Sequence, residues 1–514
     1  MVMSRLDLEH LRSEVEAYQS ELNKEYYLNF SGQKPDFDLS GIYRRHGAIF
    51  ARPQLEAVRE ELEKAERQLD TYEGEVFGPA GDEAKRLRFL YQFLLEGHLA
   101  ERVKELDERL TGEEARAAVR VDGEEIPFRQ VTVRMGNTPG REQRARLEEA
   151  RVEEIERHNP ERLERWRTLH AAARDLGYAD YATLCAESRG LDLVHLGEQL
   201  ERFLEETDDL YHQSLAPVWR SVHGRGLAGA EQHDLTRLWR AAQFDAYFPA
   251  ERVVGALHRT LAGLGITLAD QRNIIVDTEA RPTKAPRAFC APVRVPEEIY
   301  LNILPKGGPD DYEAILHEAG HAEHFGLTDP HRPMEYRWLG DYSVTEAYAM
   351  ALEHLVLEEE WLTGVIGMPA EEARAFHRFA ELKRLFLVRR YAAKLLYELG
   401  LHRSADPALH RERYSAHLLR ATLIHYPSAQ YLTDLDDAFY AANYLRAWIL
   451  EAQLKEEIRR RFGRRWFAEK AAGDFLRELW HYGGQLTAEE VAAEIRQAGL
   501  DLNPLVAQLK AGLA

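Results

Sequence analysis

The sequence predicts a mainly α-helical protein, and three observations carry that expectation. Apolar residues recur at three- and four-residue spacing through long segments, alternating β-branched runs are few, and no fixed-period repeat or low-complexity interior stretch is present. A length of 514 residues is ample for a large core and by itself suggests two to four domains. Pro and Gly are scattered instead of gathered into linkers, so one large helical body with two lobes fits better than separate beads.

In chain order, residues 6–21, 54–71 and 84–110 carry the helical period. Residues 117–121 and 129–135 read as two strands joined around the turn signal Asp122-Gly123, an exposed hairpin with no functional role. The stretch 141–167, including REQRARLEEARVEEIER, mixes both charge signs densely. It reads as a solvated helix laced with i,i+4 pairs and not as a nucleic-acid surface. Further helices are expected over 193–215, 371–399 and 436–461, with strand character at 289–303. The lobes are expected at 1–190, helical with the hairpin near 117–135, and at 191–514.

Within 312–325 (YEAILHEAGHAEHF), His317, Glu318 and His321 form an H-E-x-x-H motif. Four residues of α-helix turn about 400° and rise about 6 Å, so both imidazoles share a face and can grip one metal ion. Glu318 lies about 100° round, flanking the metal without blocking its open position, where a general base for an activated water belongs. Gly307, Gly308, Pro309 and Asp310 are loop and N-cap chemistry, Asp310-x-x-Glu313 reads as a capping box, and Gly326 supplies a stop. Ile315, Leu316, Ala319, Ala322 and Phe325 make this helix largely apolar, so both histidines should be partly buried and need partners.

A catalytic zinc site takes three protein ligands and leaves a fourth position for water. Position 327 is Leu, which excludes a third His six residues after His321, and His324 reads as a surface or supporting imidazole. Residues 326–342 (GLTDPHRPMEYRWLGDY) reverse the chain, and a second helix is expected over 343–362. Glu346 sits in its first turn, 25 residues after His321, and two antiparallel helices would face it toward the histidines. Ser343-x-x-Glu346 also reads as a capping box, which would bind the same carboxylate to its own helix. Glu353, seven residues on, reads either as a carboxylate orienting a ligand imidazole or as a solvated surface residue.

This pattern resembles the thimet oligopeptidase and oligoendopeptidase F family of zinc peptidases (peptidase family M3). There H-E-x-G-H on one helix is followed by a ligand Glu about 25 residues later and a further Glu seven beyond. His317, Glu318, Gly320, His321, Glu346 and Glu353 match position by position. Residues 289–303 (FCAPVRVPEEIYLNI) with Pro305, Gly307 and Gly308 are similar to the family's paired strands along its cleft. Residues 439–448 (FYAANYLRAW) are similar to its tyrosine-rich helix, and 169–181 (LHAAARDLGYADY) to a helix with a leucine-glycine-aromatic turn.

The resemblance implies a two-lobed helical metallopeptidase with a deep cleft and a small sheet at the cleft edge, the lobe 191–514 being catalytic. It implies one zinc ion per chain on His317, His321 and Glu346, and Glu318 as general base. Tyr444, then Tyr440, then Tyr431 are candidates for the phenol that meets the developing oxyanion, core aromatics being the competing reading. Family members carry a His shortly before these tyrosines; here residues 433–437 are TDLDD, and the nearest His is His425. The substrates implied are short unfolded peptides, held by strand addition along 289–303. A carboxypeptidase or dipeptidyl carboxypeptidase is the neighbouring alternative and needs a cation such as Arg294 or Arg446 for the terminal carboxylate. A non-catalytic, zinc-stabilised peptide-binding protein is the alternative of another class.

The net charge of −20 disfavours nucleic acid and anionic membranes as partners. Two cysteines, Cys185 and Cys290, cannot form a disulfide framework, the N-terminus lacks an apolar signal core, and no run of about 18 apolar residues occurs. A soluble cytoplasmic protein is expected. Oligomeric state, cleavage preference and the resting metal are not written in these patterns.

Overall fold

Helical periodicity governs the described residues, 7–71 and 79–514 of the computed structural model, which form 21 α-helices and two small sheets. The first helix, Leu8–Phe30, starts where the Asp7 carboxylate accepts the His10 amide, so it outlasts the expected 6–21 by more than two turns; Leu6 lies outside the described residues. The charged stretch divides into Arg141–Arg157 and Asn159–Asp175, because Pro160 suits a first turn and cannot continue the preceding helix. Among the described residues, no helix is long and apolar enough to cross a membrane.

The hairpin departs from its expected register. Strand β1 (Ala118–Val121) pairs antiparallel with β2 (Glu124–Pro127), so the partner starts directly after Asp122-Gly123 and ends at Pro127. Both turn residues have positive φ, 53° and 85°, as a two-residue hairpin turn demands. The expected strand 129–135 is instead a 3₁₀ turn followed by a helix, Val131–Asn137. Val131 and Met135 are buried one helical turn apart, whereas Val133 between them is 67% exposed. Nor is the hairpin merely exposed: Val119, Val121 and Ile126 bury against Val131, Met135 and Leu147.

The chain divides into two compact units, each assembled from separated segments. The first comprises Met1–His98, Gln243–His377 and Arg446–Leu505, and the second Leu99–Ala242, Arg378–Leu445 and Val506–Ala514. A boundary at 190 therefore falls inside the second unit. Aromatic stacking accounts for this: Trp166 and Tyr181 lie against His402, and Tyr181 also meets Phe439, so 160–190 belongs with the segment around 400–440.

The first unit holds a three-stranded sheet ordered β3 (Ile274–Asp277), β5 (Glu298–Asn302), β4 (Phe289–Arg294), with β3–β5 parallel and β5–β4 antiparallel. One face meets the helix Leu8–Phe30, where Tyr27 stacks on Tyr300 at 3.7 Å between centroids. The other buries Ile299 and Leu301, neighbours in register to Pro292 and Cys290. β4 is the edge strand, so within 289–303 it is β4, not β5, whose outer backbone is unpaired by the sheet.

Candidate metal centre

The helix Pro309–Gly326 carries the H-E-x-x-H motif. Its N-cap is Gly308 at φ 94°, with Pro309 in the first turn and no side-chain cap, so Asp310 and Glu313 do not form the expected box at its start. Asp311 instead folds back to accept the amides of Lys306 and Gly307. The following helix, Tyr342–Glu353, is shorter than the expected 343–362, giving way at His354–Leu357 to a 3₁₀ turn. Its N-cap is Asp341, whose carboxylate accepts the Ser343 amide, while the Ser343 hydroxyl accepts from Arg446. Capping thus falls to Asp341, and Glu346 faces the histidines.

Gly320 lets the two helices meet. A methyl built there would lie 2.5 Å from the Ala349 Cα and 2.8 Å from the Tyr348 carbonyl oxygen, inside contact distance. Among the described residues, His317, His321 and Glu346 offer three ligand atoms within 4.8 Å of one another. The two Nε2 atoms are 3.2 Å apart, and Glu346 Oε2 lies 3.5 Å from His317 Nε2 and 3.9 Å from His321 Nε2. Tetrahedral zinc with bonds of about 2.0–2.2 Å separates its ligand atoms by roughly 3.3–3.5 Å, so the donor set fits such an ion. Two imidazole nitrogens this close must share a proton or a cation.

The outer nitrogens are fixed as well. His317 Nδ1 lies 2.8 Å from Glu353 Oε2, and His321 Nδ1 lies 2.8 Å from the Thr345 hydroxyl, which holds both Nε2 atoms toward the common focus. Burial opposes charge on both rings. At His317 the hydrogen bonds of Glu346 and Glu353 outweigh it and push the pKa up to about 11, whereas at His321 burial wins and the pKa falls to about 3. Glu318 Oε2 accepts the Cys290 amide of β4 at 2.8 Å, and burial raises its carboxyl to about 7. His324 is buried against Phe325 and Tyr348, not on the surface.

Arg446 is buried and donates to Asp341, Ser343 and Glu489, and Arg294 pairs with Glu298. Asp341 thereby ties a helix start to a buried guanidinium, and its carboxyl, despite burial, is held below its ordinary pKa by Arg446. Because the folded-state pKa is lowered, this stabilisation is present above the ordinary carboxylate range and is lost as pH falls through the folded value. Asp341→Ala should cost about 3–5 kcal/mol, the size expected for a broken buried pair, seen as a lower thermal midpoint at neutral pH.

The other sequence candidates belong to the second unit. Tyr440 and Tyr444 form an edge-to-face pair 5.2 Å apart and line a cavity of about 730 Å³ with Tyr391, Arg165, Asp437 and His402. Tyr431 is buried, its carbonyl accepting the Tyr397 hydroxyl. His425 is half exposed with Nδ1 3.1 Å from Glu231, and it is His402 that brings an imidazole to the tyrosine cavity. Sequence reading missed His402, Thr345 and Asp341. Thr345 stands next to Glu346 and Asp341 two residues before Ser343, positions that a search for ligand and cap partners covers; His402 has no such signal.

No protein-family model and no curated protein matches this sequence. Solved structures do. PZ peptidase A, determined with an inhibitor, superposes with a TM-score of 0.62 at 16% identity, covering 100% of this chain and 98% of its own. A provisionally named peptidase of Chlamydophila abortus gives 0.65 at 12% identity over 98% and 89% of the two chains. An oligoendopeptidase F of Bacillus anthracis str. Ames, also provisionally named, gives 0.61 at 16% over 99% and 96%. At such identities the likeness carries the fold: this chain has the mainly α-helical fold of oligoendopeptidase F.

Proposed function

We propose that the protein hydrolyses peptide bonds in short unfolded peptides, with one divalent cation, zinc by its donor set, held by His317, His321 and Glu346. The observation that carries this reading is the convergence of those three ligand atoms within 4.8 Å, beside the Glu318 carboxylate. When bound, the cation would polarise the scissile carbonyl and lower the pKa of a water from about 15.7 toward roughly 7.

The remaining chemistry belongs to the chain. Glu318 accepts the water's hydrogen bond, takes its proton as the carbonyl carbon is attacked, and delivers that proton to the departing amine nitrogen. The Cys290 amide holds Oε2, which fixes the carboxylate while its other oxygen handles the proton. Along the outer edge of β4 the Cys290 N–H is thus taken and Pro292 has none, so that edge presents the carbonyls of both residues. A peptide lying alongside would donate its own amides to them, a recognition that ignores side chains.

Endopeptidase action is favoured over removal of terminal residues, because Arg446 and Arg294 both have carboxylate partners. Quenched fluorescent peptides test the reading: cleavage by the wild type, its abolition by a chelator, and equal rates on C-amidated and free-acid peptides are expected. Equal signals from wild type and Glu318→Gln would overturn it.

A further inference from the structure

The end of the helix Leu8–Phe30 carries aromatic rings that packing leaves in the open. Phe30 is 40% exposed and Phe37 38%. Tyr26 stands 5.6 Å from Phe30 and 5.1 Å from Phe37, Phe30 stands 5.8 Å from Phe37, and Phe30 reaches Phe289 at 6.0 Å. Three rings in mutual contact, joined to Phe289 through Phe30, make one continuous apolar shelf, whereas isolated exposed apolar side chains are commonplace.

Its place in the fold gives the shelf a use. Phe289 opens β4, and the next residue, Cys290, donates its amide to Glu318. In register, Phe289 opposes Asn302 and Ala291 opposes Tyr300, whose ring stacks on Tyr27; this row of side chains therefore faces the helix Leu8–Phe30. The Cys290 amide points to the outer edge of β4, where Glu318 accepts it, so a peptide extending that edge through the neighbouring carbonyls would run about 4.8 Å away, with every second side chain on the Phe289 face. Such a side chain, next to Glu318 along the strand, meets the shelf. Its neighbours in sequence point to the opposite face.

We infer that Tyr26, Phe30, Phe37 and Phe289 form a subsite for one aromatic or large aliphatic side chain of a peptide lying along β4, with Phe30 and Phe37 as specificity-determining residues. The inference rests on the peptidase reading and names the substrate class for that site: extended peptides with one large apolar residue at a fixed distance from the cut. The backbone contacts along β4 are blind to side chains, so the shelf is what makes selection at one position.

The test walks Phe or Ala through the positions around the cut in otherwise identical quenched peptides. Wild type should prefer Phe at one position by roughly ten-fold or more in kcat/KM, expressed mainly in KM. The double variant Phe30→Ala/Phe37→Ala should reduce that ratio to about two, and Phe37→Leu should keep most of it. If the double variant melts early, Phe37→Ser alone carries the test, since Phe37 stands outside the buried core. Binding of the same peptides to Glu318→Gln, measured by calorimetry, separates the two readings. Selective binding without wild-type cleavage upholds the subsite and overturns the hydrolysis. Cleavage with no positional preference, or a preference the variants leave intact, overturns the subsite and upholds the hydrolysis; neither binding nor cleavage overturns both.

Discussion

Glu318→Gln should lower peptide hydrolysis by roughly 100- to 10,000-fold, the contribution a positioned general base makes, equivalent to about 3–5 kcal/mol of barrier. The amide is nearly isosteric and its oxygen can still accept the Cys290 N–H, so the fold and the position of β4 should be unchanged. The proposed ligands are on other residues, so zinc content by metal analysis should stay at one per chain. This combination separates the base from the ligands: a Glu346→Gln variant should lose metal and activity together, whereas Glu318→Gln should lose only activity. Turnover by Glu318→Gln within a few-fold of wild type would sink the proposed role, and loss of its zinc would mean that Glu318 helps hold the ion. The surroundings suit such a base. Burial lifts its carboxyl to about 7, close to the pH at which it would have to accept a proton, and the Cys290 amide keeps it from turning away.

How much of this was legible in the sequence depends on how local each feature is. The motif helix, the turn after it and the approach of Glu346 follow from helical period and spacing, and Glu353 finds His317 Nδ1 because seven residues are two helical turns. Residues 129–135 misled because Val131, Val133 and Met135 satisfy alternation as well as helical spacing over so short a run; the two-residue turn, which forces pairing to start at Glu124, was the stronger constraint. Capping was ambiguous for a similar reason. Ser343-x-x-Glu346 has the letters of a capping box, yet Asp341 lies two residues earlier, and Arg446, distant in sequence, draws off the Ser343 hydroxyl. Long-range partners of this kind leave no local pattern. His402 is the extreme case, a residue brought beside Tyr440 and Tyr444 only by the packing of the second unit.

Gly320→Ala is expected to damage the site although it touches no proposed ligand. By helix propensity alone the substitution should stabilise the chain by about 1 kcal/mol, since Ala is the better helix former. The added methyl, however, would sit 2.5 Å from the Ala349 Cα and 2.8 Å from the Tyr348 oxygen, and both are backbone atoms that cannot rotate aside. Ordinary contact needs roughly 1 Å more, so the helices Pro309–Gly326 and Tyr342–Glu353 must part by about that much, at an overpacking cost of about 1–3 kcal/mol. Steric cost therefore outweighs propensity, and the net effect is destabilising. Function should suffer more than stability. His317 and His321 ride on one helix and Glu346 on the other, so parting them stretches separations now at 3.5 and 3.9 Å and weakens the grip on the ion. A misplacement near 1 Å typically costs on the order of 100-fold in turnover. A chelator competition should show weaker zinc binding, with kcat/KM down by about that factor and the thermal midpoint only modestly lower. Zinc affinity and activity equal to wild type would show that the helices tolerate a side chain between them, and that Glu346 reaches the histidines without the close approach Gly320 permits.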